Sequence, residues 1–374
     1  MPPIVIDLRQ ADDRRDVVHR AVQTLAEGKL VVFPTETVYG VGASACSSVG
    51  VEKLFEAKGR SLDAPFALAI KSAEEAHDYV PNMGQVAGRL ARRCWPGPIT
   101  LVVDCGEGRG LVDQLPKIVQ QAVAPNGTVG LRVPAHDVVL DVLRMLAGPI
   151  ALTSANRSGE PAAVTASQAL DALGDQVGLV LDDGASRYGQ PSTVVQANDN
   201  EFRCLREGVV GQNALDRLSS MIVLLVCTGN TCRSPMAEVI MRQLIAKKLG
   251  CTDAELEQRN VLVASAGIAA APGCGPSPEA VDVVKEKGLD LANHVSQPLT
   301  EKLVRHADLI LTMTAGHRHA ILRRWPDATE RIHTVRSDGT DINDPIGGST
   351  NVYRECATEV ENALQKRVEE IDFC

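Results

Sequence analysis

Cys227 and Arg233 stand five residues apart, joined by Thr228, Gly229, Asn230, Thr231 and Cys232 and followed by Ser234 and Pro235. The apolar run Val223 to Cys227 reads as a buried strand, and Pro235 to Leu249 as a helix with Met236, Ile240, Leu244 and Ile245 on one face. A loop this short turns the thiol and the guanidinium toward one small space. Backbone N–H groups entering a helix bind anions, and a phosphate fits such a cradle. Those N–H groups, the helix dipole and Arg233 all favour the thiolate. A thiolate beneath a bound phosphate is a nucleophile aimed at phosphorus. Gly229 is expected to take the unusual dihedrals of the loop and Pro235 the first helical position. The bland alternative is a structural Cys in a strand-to-helix turn.

The first half carries a looser set of polar groups. Thr35, Glu36, Thr37 and Tyr39 lie between an apolar run ending at Phe33 and the pair Gly40 and Gly42. This is a hydroxyl-rich loop able to wrap a small ligand, or simply a turn. Lys58 and Arg60 flank Gly59 after a helix over 48–57, where they suit an anion or the helix dipole. Arg132 sits in an apolar run, 128–134, and needs a partner or a ligand because a buried unpaired charge is costly. Thr153 to Gly159 places small polar residues after a strand.

Positioning these groups requires two kinds of sheet. Short strands dominate residues 1–217, with helices over 13–27, 48–57, 74–79 and 84–94 between them; this predicts an α+β or α/β sheet with a concave, polar, cation-bearing face. Residues 211–220 are polar and without a core pattern, and read as a linker with a boundary near Leu218. Strands at 223–227, 261–267 and 307–313 alternate with helices, predicting a small parallel-sheet α/β domain over 218–374 with its site at the strand C-termini. His317 and His319 are expected at the surface, and His294 either near the site or as a structural imidazole.

Composition narrows the classes. The 374 residues carry 38 Lys and Arg against 47 Asp and Glu, net −9, which argues against broad nucleic-acid binding. Apolar residues make up 44%, enough for packed cores, yet aromatics only 3%, so Leu, Val, Ile and Ala must fill them. There is no long apolar span, no signal pattern at the N-terminus, and no disulfide or zinc spacing among ten cysteines; the expectation is a reduced, cytoplasmic protein with no metal held by its own side chains.

Two resemblances gather these residues. The loop from Cys227 to Pro235 resembles that of the low-molecular-weight protein phosphatases over about residues 221–374. It implies that Cys227 attacks phosphorus, that Arg233 clamps the phosphoryl oxygens, and that Asp344, in Asp344-Pro345, is the general acid and then activates water. The rest of the loop, Thr228 to Cys232 with Ser234, would cradle the phosphate, with Asn230 pinning it and Ser234 holding the thiolate. No cofactor is implied. Thr231, where tyrosine-directed members carry a bulky aliphatic residue, and the absence of aromatics after Pro345 imply a phosphoarginine substrate on a protein; phosphotyrosine is the alternative, and arsenate reduction a more distant one.

Residues 10–215 resemble the YrdC-like threonylcarbamoyl-AMP synthases in the Pro34–Gly40 loop, Lys58-x-Arg60, Trp95-Pro-Gly-Pro, the Arg132-Val-Pro strand, Ser154-Ala-Asn156, Ser192-Thr-Val-Val195 and the final Arg206-x-Gly208. The resemblance implies ATP, bicarbonate and L-threonine as substrates, Mg²⁺ with the phosphates, and a product feeding tRNA modification through a downstream transferase, with no membrane partner. It assigns threonine to Thr37, Arg132, Ser154 and Ser192, and ATP to Lys58, Arg60, Thr128, Asn156, Thr165 and Arg206. Ser61, Ala64 and Ala69 depart from the family pattern, which leaves a nucleotide-binding relic as the alternative.

Overall fold

The structure is a computed structural model that describes residues 2–59, 65–106, 108 and 110–373. It divides into two compact units, Met1–Ser219 and Ser220–Cys374.

Among the described residues the first unit builds one ten-stranded sheet from β1 (Ile4–Asp7), β2 (Val31–Phe33), β3 (Gly40–Ser44), β4 (Ala67–Ala69), β5 (Ile99–Asp104), β6 (Thr128–Arg132), β7 (Ile150–Ser154), β8 (Leu179–Asp182), β9 (Thr193–Ala197) and β10 (Phe202–Arg206). Their spatial order is β1-β8-β2-β3-β7-β4-β6-β5-β9-β10, and the sheet is mixed. β2, β3 and β7 run antiparallel in turn, which brings Gly40 opposite Ser154 and so sets the 34–39 loop beside the 154–156 turn. β4 pairs in parallel with β6, Ala69 opposite Arg132. Helices Arg14–Ala26, Ser48–Lys58, Gln85–Cys94, Asp137–Met145 and Ala166–Leu173 bury their apolar faces in the same core.

Two sequence expectations change here. Residues 40–44 form a central strand, not the end of a polar loop. A Cβ on Gly42 would lie 2.4 Å from Cγ2 of Ile150, so the glycine permits close β3–β7 contact. Residues 211–220 are not a linker: Gln212–Ser219 is helical, buries Leu215 completely and packs on Gln85–Cys94. Arg93 caps its end, donating to the Leu218 carbonyl at 2.7 Å. A two-turn helix with one fully buried side chain is too short to show periodicity in sequence.

The second unit has four parallel strands, β11 (Met221–Cys227), β12 (Val261–Gly267), β13 (Leu309–Thr312) and β14 (Ile332–Thr334), ordered β12-β11-β13-β14. Successive β11 residues face opposite layers. Val223 and Leu225 join Met236, Ile240 and Tyr353, while Leu224 and Val226 join Ile310 and Ile321. Both faces are buried, which is why the strand reads as an unbroken apolar run. In such sheets ligands sit at the carboxyl ends of strands flanking the point where winding reverses. Here that point is the end of β11, at Cys227.

Candidate active sites

In the second unit the loop after β11 closes around its own sulfur. The Asn230 N–H donates to Cys227 Sγ at 3.2 Å, and Ser234 Oγ lies 2.9 Å from it. The left-handed residue of the loop is Asn230, with φ +57°, rather than Gly229. Its side chain holds that conformation: Nδ2 donates to Ser234 Oγ at 3.0 Å and to Ser265 Oγ at 2.8 Å, and Oδ1 accepts from the Gln297 N–H at 2.9 Å. Ser265, on β12, donates in turn to Glu238 at 2.6 Å. Burial holds the Glu238 carboxyl above its ordinary range. His294 donates from Nε2 to the Asn230 carbonyl at 2.9 Å, so it is a structural imidazole of the loop. Gly267 lets the loop lie against β12, since a Cβ there would meet the Thr228 carbonyl oxygen at 2.4 Å.

The helix begins at Arg233, so Pro235 falls within its first turn, where no helical N–H is required. Arg233 is buried; it donates to the Ile342 carbonyl at 3.1 Å and pairs with Asp344 Oδ2. Asp344 is partly exposed, and its Oδ1 accepts from the Ile346 N–H at 3.3 Å. Ile346 itself is 70% exposed. Cys232 is buried, its sulfur 3.3 Å from the Tyr353 hydroxyl.

His317 is not at the surface as expected. It is only 6% exposed, and Nε2 lies 2.9 Å from Thr228 Oγ1. Burial first, and the neighbouring Arg233 charge second, push its pKa down to about 4. Nothing in the sequence around His317 signals this, because its partner lies 89 residues earlier.

In the first unit a cavity of about 480 Å³ opens over the sheet. Lys58, Thr128, Arg132 and Ser154 line it, and Asn156, Ser192 and Arg206 complete its polar wall. Arg132 is buried on a carboxylate: it donates to Glu36 Oε1 at 2.8 Å and to Thr37 Oγ1 at 2.7 Å. Glu36 also accepts from the Ala135 N–H at 3.0 Å. The Nε of Arg132 is buried with no hydrogen-bond partner among the described residues. Lys58 Nζ donates to the Ser154 carbonyl at 2.7 Å and also to the Asn156 carbonyl, fixing the 154–156 turn. Arg206 donates to the Ser192 carbonyl at 2.8 Å, and Ser192 Oγ lies 3.0 Å from Thr100 Oγ1.

Two expected ligands do not line the cavity. Thr37 is fully buried, its hydroxyl taken by Arg132 and by Thr35 at 2.9 Å. Thr165 caps the helix Ala166–Leu173, accepting from the Gln168 N–H at 3.3 Å. Both are hydroxyls that local backbone or a nearby cation satisfies first. Arg60, Ser61 and Ala64 lie outside the described residues. All cysteines among the described residues are free thiols, and no helix among them is long and apolar enough to cross a membrane.

Different family models match the two units. The Sua5/YciO/YrdC family model, described as "Telomere recombination", matches residues 23–208, and that of the low molecular weight phosphotyrosine protein phosphatases matches residues 222–373. A Mycobacterium tuberculosis protein assigned as a threonylcarbamoyl-AMP synthase is 39% identical over 204 residues, 54% of this chain and 89% of that protein. The threonylcarbamoyl-AMP synthase of Pyrococcus abyssi is 35% identical over 205 residues, 55% of this chain, and the match spans 57% of that protein's length. The solved structure of a Sua5 double variant from the same organism superposes with a TM-score of 0.52 at 26% identity, covering 70% of this chain and 91% of that one. The protein-arginine-phosphatase of Bacillus subtilis is 39% identical over 155 residues, 40% of this chain and 97% of that protein. The chain therefore belongs to two families at once, the Sua5/YciO/YrdC family in its first unit and the low molecular weight protein phosphatases in its second.

Proposed function

We propose that the chain is a bifunctional enzyme: the first unit makes threonylcarbamoyl-AMP from L-threonine, bicarbonate and ATP, and the second is a cysteine-dependent protein-arginine phosphatase. The single observation that carries the second reading is the Cys227 sulfur held by the Asn230 N–H and the Ser234 hydroxyl, at the start of a helix whose first residue, Arg233, pairs with Asp344.

The phosphatase steps follow from this arrangement. An incoming phosphoryl group offers Arg233 a more highly charged partner than one carboxylate. Arg233 turns to the phosphoryl oxygens, and Asp344, released from the guanidinium, takes up a proton from solvent and faces the leaving atom. Cys227 displaces the leaving group, which takes its proton from Asp344. The same carboxylate then draws a proton from water, and the water oxygen cleaves the thiophosphate. Thr231 offers a hydroxyl where an aliphatic side chain would pack a phenyl ring, and Ile346, Gly347 and Gly348 supply no aromatic sandwich. The phosphoarginine reading is tested by hydrolysis of phosphoarginine and phosphotyrosine peptides before and after Thr231→Ile. A phosphotyrosine preference that this substitution leaves unchanged would overturn it.

In the first unit the unpartnered Nε of Arg132 on a cation-lined cavity supports binding of the threonine carboxylate. The threonine amine captures bicarbonate with loss of water. The carbamate oxygen then attacks the α-phosphorus of ATP and pyrophosphate leaves, while Lys58 and Arg206 hold positive charge at the cavity wall. Thr128, Asn156, Ser154 and Ser192 supply polar contacts to the two substrates. Among the described residues no carboxylate lines this cavity, so Mg²⁺ would enter on the ATP phosphates. The test is to supply ATP, bicarbonate and L-threonine and detect threonylcarbamoyl-AMP and pyrophosphate. Failure to form either, with Arg132→Ala as the background control, would favour a nucleotide-binding relic. The setting proposed for both activities is the cytoplasm, with a downstream transferase passing the first product to tRNA.

A further inference from the structure

His317 is held at its backbone and at its ring. Its backbone N–H donates to Thr314 Oγ1 at 3.1 Å, in the first turn of the helix Ala315–Arg324, and its Nε2 meets Thr228 Oγ1 at 2.9 Å. The charged groups acting on it are Arg233, Asp344 and Asp341. Thr228 follows the Cys227 nucleophile directly and is exposed.

A neutral imidazole carries one N–H. His317 Nδ1 is buried and has no partner among the described residues. A buried N–H without an acceptor is the rarer and costlier arrangement, so the proton belongs on Nε2. Nε2 therefore donates to Thr228 Oγ1. That leaves the threonine hydroxyl with its own proton and one lone pair to offer away from the imidazole.

We propose that His317 is a positioning residue of the phosphatase centre: by donating to Thr228 Oγ1 it orients that hydroxyl at the mouth of the phosphate loop, where the remaining lone pair accepts an N–H of the leaving group. This rests on the phosphatase reading above and deepens its substrate class. A phosphorylated guanidinium presents N–H groups beside the breaking P–N bond, whereas a phenolic leaving oxygen presents none. The depressed pKa of His317 agrees with this role, because a neutral ring adds no charge beside Arg233.

The test is a double-mutant cycle on the full chain, His317→Leu against Thr228→Val, read as kcat/KM on a phosphoarginine peptide and on p-nitrophenyl phosphate. Each single substitution is expected to lower kcat/KM about tenfold more on the peptide than on p-nitrophenyl phosphate, the loss of one well-made hydrogen bond to a leaving-group N–H. The double variant is expected to be no worse than either single one. His317→Gln, whose longer side chain places an amide N–H where Nε2 stands, is expected to recover most of the activity. It and Thr228→Val carry the test if His317→Leu does not fold. Additive losses, equal losses on both substrates, or no loss would overturn the assignment while the phosphatase reading stands. A wild-type chain that turns over neither substrate would overturn both.

Discussion

Replacing His317 by Asn should flatten the acid side of the second unit's stability curve. The pKa of His317 falls from an ordinary 6.5 to about 4 in the folded chain, chiefly through burial. The folded state thus prefers the neutral ring, and the unfolded chain binds the proton first. Stability contributed this way is present above pH 6.5 and is lost as pH falls toward 4. Each pH unit in that window costs about 1.4 kcal/mol, and the whole window on the order of 3 kcal/mol. That is a substantial share of the roughly 5–15 kcal/mol that holds a domain together. Hydrogen exchange followed by mass spectrometry resolves the peptides of the second unit, with Met221–Cys227 as the reporter strand. Carboxylates titrate in both proteins, so the informative quantity is the difference between wild type and His317→Asn at each pH. Wild type should lose about 3 kcal/mol relative to the variant between pH 7 and pH 4. Curves that stay parallel across this range would refute the argument and leave His317 an ordinary titrating imidazole.

Three further outcomes are expected. Asn230→Ala should lower p-nitrophenyl phosphate turnover by about tenfold or more, because it loses the side-chain bonds that hold the left-handed residue, and Asn230→Gly, which keeps the dihedral, should lose less. Glu36→Ala should destabilise the first unit by about 3–5 kcal/mol, since it strands the buried Arg132 charge, and a calorimetric scan that leaves this transition in place would contradict the pairing. Thr165→Ala should remove about 1 kcal/mol of stability through the lost helix cap while leaving the KM for ATP unchanged; a raised KM would return Thr165 to the nucleotide site.

The sequence exposes the second site more fully than the first, for a physical reason. Strand, loop and helix around Cys227 are contiguous, and so are most of the groups that shape the loop. The anchors Ser265 and Gln297, and the partner His317, arrive from other strands and turns, and only the fold brings them in. In the first unit Arg132 announces itself as a charge in an apolar strand, but its partner Glu36 lies 96 residues away. Thr37 looks like a ligand by its motif, yet its hydroxyl supports the guanidinium instead. The strand at Gly40–Ser44 was hidden because glycine signals a turn in sequence, while here it permits close strand packing. The helix Gln212–Ser219 was hidden by its brevity.

The ties from Asn230 to Ser265 and Gln297 have a kinetic corollary. An oxyanion cradle that is rigid beforehand grips the inorganic product as firmly as the ester or amidate it came from. In the proposed reaction, escape of that product then competes with bond cleavage as the slow event. The Asp344 carboxylate, which pairs with Arg233 here, is in that proposed reaction the rival that dislodges the spent anion and readies the cradle for another round.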